Sequence, residues 1–254
     1  MRYLVTGGAG FIGSHICDRL LAEGHQVRIL DNFSTGKHEN IQASDHVEVV
    51  EGDVGDYDTV KSAMQDINMV FHEAAIASVP ETVGNPLASE RVNYRGTLNI
   101  LEAARHAGVQ RVMFACSAAV YGDLPELPKQ EGMPVRPLSP YAVDKLASEQ
   151  ACQMYTYLYG LETVSLRYFN VFGPRQDPSS PYSGVISIFT DYINQGKQPT
   201  IYGDGEQTRD FVYVSDVVEA NILASTSATA AGKAFNVATN GTLSVNDLLK
   251  TICN

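Results

Sequence analysis

Positive charge is scarce in this chain. Its 254 residues hold 18 lysines and arginines against 29 aspartates and glutamates, a formal charge of −11 at neutral pH. That balance argues against a general nucleic-acid surface, which needs basic stripes. It leaves room for a phosphate-bearing small ligand, because backbone amides and a few arginines bind one locally. Cysteines are few and unpaired: Cys17, Cys116, Cys152 and Cys253 show no C-x-x-C spacing. Neither a metal site nor a disulfide framework is expected from such scatter, and reduced thiols in a cytoplasmic protein are. Apolar runs of membrane length are missing, and the opening "MRYLVTGGAG" turns to glycine too early for a signal peptide. There is no internal repeat and no low-complexity tract. The chain has 44% hydrophobic and 19% charged residues, enough for one large domain, or a domain with a smaller lobe, around a real core.

The first half alternates two patterns. Short apolar runs read as strands: "RYLVT", "QVRIL", "VEVVE", "NMVFH" and "RVMFAC". Amphipathic stretches such as "GSHICDRLLAEG", "YDTVKSAMQ" and "GTLNILEAARHAG" read as helices between them. Strands alternating with helices imply parallel pairing through right-handed crossovers, hence an α/β fold with a doubly wound sheet. After "LETVSLRYF" the rhythm breaks into a proline- and glycine-rich segment at 173–184, a helical pattern, "VISIFTDYINQG", and "PTIYGDGEQTRDFVYVSD". We therefore expect a dinucleotide-binding domain over 1–166 and, over 167–254, a smaller lobe with segments returning to the sheet.

The segment "VTGGAGFIGS" follows the first strand and opens the first helix, with Gly7, Gly10 and Gly13 spaced G-x-x-G-x-x-G. The first glycine permits a tight turn, the second lets backbone approach a pyrophosphate, and the third lets helix and strand pack closely. Alone the pattern is a weak signal. Here it has a partner: Asp31 ends the second strand, 18 residues after Gly13. A carboxylate there accepts from a ribose 2′-hydroxyl and repels a 2′-phosphate, which favours NAD over NADP. Asp53, in "GDV", would either meet an adenine amino group or cap the next helix.

"SPYAVDK" puts Tyr141 four residues ahead of Lys145, on one helical face, with Ser139 and Pro140 suited to the helix start. A free tyrosine, with a pKa of about 10, is a poor base at neutrality. Bringing it there takes roughly 4 kcal/mol of differential stabilisation, more than one lysine is expected to supply. Ser117, just beyond the strand "RVMFAC", falls at the carboxyl edge where open α/β sheets bind ligands. Cys116 ends the same strand and reads as a small core thiol, since no histidine pattern adjoins it.

Together, "GGAGFIG", "DNFSTG", "HEAAIASV", "VNYRGTLNILEAA", "CSAAVYG", "SPYAVDK", "RYFNVFGPRQ" and "GDGEQTRDFVYVSD" resemble the extended short-chain dehydrogenases/reductases, and within them most closely the UDP-sugar 4-epimerases. The resemblance runs over essentially the whole chain. It implies that Tyr141 is the catalytic base, Ser117 hydrogen-bonds the reacting sugar oxygen, and Lys145 binds the nicotinamide ribose and lowers the tyrosine pKa. The cationic nicotinamide would be the second positive charge. It further implies NAD contacts from Phe11 and Ile12 beside the three glycines, and from Asn32, Ser34, Thr35 and Gly36 after Asp31. Asp53, Val54, Ala74, Ala75, Asn93 and Tyr168 would complete the cofactor site. Ala77 and Ser78 would line the sugar pocket, and Asn170 and Arg209 would grip the phosphates of a UDP-sugar. From the residues alone, Arg209 beside Asp210 reads equally as a surface ion pair, and Asn170 as a turn cap. A homodimer through the helix of Tyr141 and its neighbour is the expected assembly.

Two departures from the family pattern matter. Related dehydratases carry an acidic pair after the serine, and related decarboxylases a glutamate before the valine-tyrosine; here those positions are Ala118 and Ala119. Methyl groups cannot act as general acid or base. Family members also usually continue for some tens of residues beyond a segment like "LSVNDLLKTICN", where Ser244 and Asp247 suit a capping box. The resemblance therefore leads us to expect an incomplete substrate lobe, from a fragment or from a trimmed sugar site.

Overall fold

The apolar runs of the first half are strands in the structure, a computed structural model that describes residues 1–177 and 184–253. The middle of the proline- and glycine-rich segment, 178–183, lies outside the described residues. The first half contains β1 (Arg2–Thr6), α1 (Phe11–Ala22), β2 (Gln26–Asp31), β3 (Val47–Glu51), α2 (Tyr57–Ala63) and β4 (Met69–His72). There follow α3 (Val79–Gly84), α4 (Pro86–Ser89), a π-helical turn (Glu90–Arg95) and α5 (Gly96–Ala107). The second half contains β5 (Arg111–Ser117), α6 (Pro140–Tyr159), β6 (Glu162–Tyr168), β7 (Asn170–Phe172), α7 (Val185–Asn194) and β8 (Thr208–Arg209). It ends with β9 (Phe211–Tyr213), α8 (Val214–Thr226), β10 (Lys233–Val237), β11 (Leu243–Ser244) and α9 (Val245–Cys253).

Seven strands form one sheet in the order β3-β2-β1-β4-β5-β6-β10, and every pair in it is parallel. A parallel sheet covered on both faces needs strands that are apolar on both faces. Leu4 of β1 and Phe114 of β5 face a core with Val60, Ile100, Leu101 and Cys152 of α2, α5 and α6. Their neighbours Val5 and Met113 face Ile16, Leu20 and Val217 of α1 and α8. The alternation follows from the two-residue period of a strand, and each such side chain fully buried contributes about 1.5–3 kcal/mol.

Helix α6 begins as its sequence requires. The Ser139 Oγ accepts from the Ala142 amide at 3.2 Å with Pro140 in the first turn, and Gly160 ends the helix at φ 72°. A cap of this kind is worth about 1 kcal/mol. In α9 the Ser244–Asp247 capping pair forms as well. Helix α2 differs from one expected alternative: Asp56 caps it, accepting from the Asp58 amide at 3.1 Å and the Thr59 hydroxyl at 2.6 Å, so Asp53 does not. Neither α8 nor β10 is foreshadowed by the sequence pattern. As the edge strand, β10 is exposed at alternate residues and lacks a continuous apolar run. Beyond the carboxyl edge of the sheet, β7 pairs with β9 and β8 with β11.

Candidate active site

Strand order reverses at β1, which has β2 on one side and β4 on the other. Loops leaving the carboxyl ends of these strands diverge and open a crevice. The glycine turn fills its base. Gly7 has φ +67°, and a Cβ there would lie 2.8 Å from the Ala74 amide nitrogen. A Cβ on Gly13 would lie 2.2 Å from the Gly7 oxygen. Gly10 heads α1 without a capping side chain, so the first-turn amides of Phe11 and Ile12 face outward as an anion site. Loop, helix and the chain after β4 thus form a backbone cradle of the kind a dinucleotide pyrophosphate requires.

At the far end of the cradle, Asp31 is buried, with Oδ2 accepting from Ala9 N and Oδ1 from Phe33 N, both at 2.9 Å. Each oxygen keeps a lone pair for a ribose hydroxyl. Gly36 packs directly on this carboxylate. Asn32, Ser34 and Thr35 form the exposed rim, where Asn32 Oδ1 accepts from the Ser34 amide at 3.1 Å. Burial works against a charged Asp53, but the Arg91 guanidinium at 2.8 Å, the Gly55 amide and Asn32 hold its carboxyl below the usual range. Two expected contacts have other partners. Val54 is buried against Gly96 of α5. Asn93 is buried with its amide group bonded to both the nitrogen and the oxygen of Ile76. Its place in the π-helical turn frees its own carbonyl for Thr97 and Ser148. Asn93 therefore shapes the 74–77 segment instead of reaching the crevice.

The crevice holds about 230 Å³ and is lined by Phe11, Ile12, Ala75, Ala77, Ser117, Tyr141, Lys145 and Tyr168, among others. It brings together groups that the sequence separates widely. Ser117 ends β5, its Oγ accepting from the Ala119 amide at 3.2 Å, and its hydroxyl lines the same crevice as Tyr141. Burial pushes the Tyr141 phenol up to about 12; the Ser117 hydroxyl acts against this, while Cys116 and Glu73 add to it. The sequence leads one to expect Lys145, together with a nicotinamide charge, to bring that phenol down. The Lys145 Nζ donates to the Ala115 carbonyl at 2.7 Å and lies 5.8 Å from the Tyr141 ring centroid. A buried ammonium must find an acceptor, and the Ala115 carbonyl at the strand end is one. Burial also lowers the lysine's own pKa. The Cys116 thiol is pushed well up by burial and lies against Glu149, as suits a core residue.

Two residues of this site carried no signal in the sequence. Glu73 lines the crevice, and the Tyr168 hydroxyl donates to it at 2.9 Å. Gln176 enters from the far side, at the end of a strap, 174–177, fastened to the first half. There Arg175 binds the Asp18 carboxylate at 2.7 Å and Ser14 Oγ at 3.1 Å, His15 meets the Pro174 carbonyl at 3.0 Å, and Lys37 pairs with Asp177 at 3.5 Å.

A second groove of about 420 Å³ adjoins the first at Phe169 and contains Ala118, Asn170 and Arg209. Asn170 donates from its side chain to the Asp210 carbonyl at 2.8 Å. Arg209 is exposed and, among the described residues, makes no ion pair; the Asp210 carboxylate accepts from Thr239 instead. Ser78 faces another task, its hydroxyl accepting from the Glu81 amide as the cap of α3.

The sequence profile of the NAD dependent epimerase/dehydratase family matches residues 3–238. The chain belongs to that family. The UDP-glucose 4-epimerase of Mycolicibacterium smegmatis is 45% identical over 253 residues, covering 98% of this chain and 80% of that protein. Among solved structures, the UDP-N-acetylglucosamine 4-epimerase of Methanobrevibacter ruminantium, in complex with UDP-N-acetylmuramic acid, superposes with a TM-score of 0.94 at 42% identity, covering 98% and 80% of the two chains. The UDP-glucose 4-epimerase of Thermus thermophilus, a complex with NAD, gives 0.92 at 43%, covering 100% and 82%. Family membership accounts for the cradle, and NAD is the cofactor that it fits. Among the described residues, no helix is long and apolar enough to cross a membrane.

Proposed function

We propose that the protein catalyses the NAD-dependent 4-epimerisation of a UDP-sugar: UDP-galactose/UDP-glucose, their N-acetyl forms or the uronates. The observation that carries this reading is the convergence of Ser117, Tyr141 and Lys145 in the crevice headed by α1, with only methyl groups at Ala118 and Ala119. Bound NAD would accept and return a hydride at the sugar's carbon 4 and bring one positive charge into the site. Tyr141 takes the proton of the 4-hydroxyl as that carbon is oxidised, and returns it after the 4-keto sugar has turned over. Ser117 holds the reacting oxygen, and Lys145 binds the nicotinamide ribose. The residues of the β1–α1 turn and the loop after Asp31 hold the dinucleotide. Asn170 and Arg209 grip the diphosphate, a guanidinium being able to bind two phosphate oxygens at once. A firm grip on the nucleotide leaves the sugar free to rotate. Dehydration or decarboxylation would need an acid or base where Ala118 and Ala119 stand.

On this reading residues 1–166 are the cofactor domain, and 167–254 form the substrate lobe with α8 and β10 returning to the sheet. Exposed Val143, Met154, Tyr157 and Leu158 along α6 support a homodimer through that helix. The free cysteines support a cytoplasmic setting.

Proton NMR of the protein with NAD, offered UDP-galactose and UDP-N-acetylgalactosamine in turn, tests the proposal. Growth of the gluco-configured anomeric signals without net NADH is expected, and the rate ratio names the sugar. Tyr141→Phe should lower turnover by about 10²–10⁴-fold with NAD binding retained. Net NADH, or turnover unaffected by that substitution, would overturn the assignment.

A further inference from the structure

Among the described residues, Glu73 is the one acidic side chain lining the crevice, and the chemistry above gives it no task. It follows β4 directly, among Ile12, Ala75, Tyr141, Lys145 and Tyr168. It is also deliberately held. Asn221, fully buried on α8, donates to the Tyr168 hydroxyl at 2.6 Å, and that hydroxyl donates on to Glu73 Oε1 at 2.9 Å. A tyrosine and an asparagine packed only for bulk would not need an acid at the end of their chain, and withdrawing even a half-buried carboxyl from water without a task is costly. We propose that Glu73 is a positioning residue for the catalytic base, whose carboxyl, fixed through Tyr168 and Asn221, sets by its charge the pH at which Tyr141 works. The inference rests on the assignment of Tyr141 as base.

The titratable groups that share the crevice with Glu73 are Tyr141 and Lys145 from α6, Tyr168 from β6 and the Cys116 thiol of β5, which burial keeps protonated; Asn221 reaches it only through Tyr168 and carries no charge. His72, its neighbour, faces Thr6 and Thr97 instead. Burial holds the Glu73 carboxyl up at about 7, against the Tyr168 bond and the Lys145 charge, both of which favour its ionised form. An ionised Glu73 raises the Tyr141 pKa, so loss of the carboxylate makes the phenolate easier to form.

The test uses the NAD-loaded enzyme and its E73Q, Y168F and E73Q/Y168F variants, with kcat/KM measured against pH. The Tyr141 phenolate is followed in parallel as an ultraviolet difference signal against Y141F. In E73Q the upper part of the acid limb should rise, because the wild-type carboxylate is ionised above pH 7 and already neutral at pH 6, so the ratio of kcat/KM at pH 6 to that at pH 8 should fall by about threefold. Y168F removes a bond that favours the carboxylate, so it should shift the limb the same way, and add nothing in the E73Q background. A merely structural role would lower kcat equally at every pH. A parallel profile in E73Q, or an undiminished Y168F shift on top of it, overturns the proposal. Should E73Q fail to fold, the direction of the Y168F shift decides. Turnover that survives Y141F would instead remove the base assignment itself.

Discussion

Glu73 and His72 are adjacent in the chain and face opposite surroundings, so their ionisation pulls stability in opposite directions. The Glu73 carboxyl rises from 4.5 to about 7 on folding. The native state therefore keeps a proton that the unfolded chain has already lost, and the stability this confers is complete below pH 4.5 and gone as pH rises through 7. For His72, burial lowers the imidazole from 6.5 to about 3, so its contribution holds above pH 6.5 and is lost as pH falls toward 3. Glu73→Gln should consequently raise the urea midpoint more at pH 8 than at pH 5. Equal shifts at the two pH values would mean that the charged carboxylate is not penalised by the fold. At this scale the sequence offered Ser117, Tyr141 and Lys145 as candidates, which share one crevice, because their spacing is local or marked by a strand end. Glu73 stayed hidden in "HEAAIASV" because its partner Tyr168 lies 95 residues away. The direction in which the Lys145 ammonium points was equally invisible, since a backbone carbonyl decides it.

Helix α6 carries Tyr141 and Lys145 on its first turns and, further along, one half of a buried ion pair. Arg167 of β6 meets Glu149 with two bonds, at 2.8 and 2.6 Å, and both residues are at most 5% exposed. A third bond takes the guanidinium to the Tyr121 hydroxyl at 2.7 Å. The pair fixes α6 against β5 and β6, and so sets the depth at which Tyr141 and Lys145 enter the crevice. Arg167→Met leaves a buried carboxylate alone and should cost about 3–5 kcal/mol in urea unfolding. The double variant with Glu149→Leu should recover most of that loss; if it does not, packing and not charge isolation is responsible. The ends of α6 were legible from Ser139-Pro140 and Gly160, because caps are local chemistry. The π-helical turn at Glu90–Arg95, and with it the aim of Asn93, was not. It depends on the Ser148 and Thr97 hydroxyls donating to the freed carbonyl, which no local pattern announces.

The whole molecule is a sheet whose order was readable only in part. Five strands, β1 to β5, announce themselves as apolar runs, while β10 joins by pairing with β6 and shows no such run. The doubly wound class follows from alternation alone, and the place of α8 follows from tertiary packing. The cradle was legible because close backbone approach demands glycine, whatever surrounds it. The strap at 174–177 was not, because its partners Ser14, Asp18 and Lys37 are ordinary polar residues in the sequence until the fold brings them beneath it.

That strap closes the molecule on itself. Ser14 and Arg175 are 161 residues apart in the chain, yet their contact fastens the second half of the protein to the first turns of α1. Were a dinucleotide held by α1 and the loop after Asp31 to leave only when this clasp comes undone, its release would be a local unfolding event and not a simple dissociation. Amide exchange over 171–177 and the release of NAD should share one temperature dependence, and Arg175→Ala should accelerate both together. Acceleration of amide exchange alone would show that the clasp and the cofactor part independently. If they move together, cofactor turnover in this enzyme is governed by the mechanics of its fold.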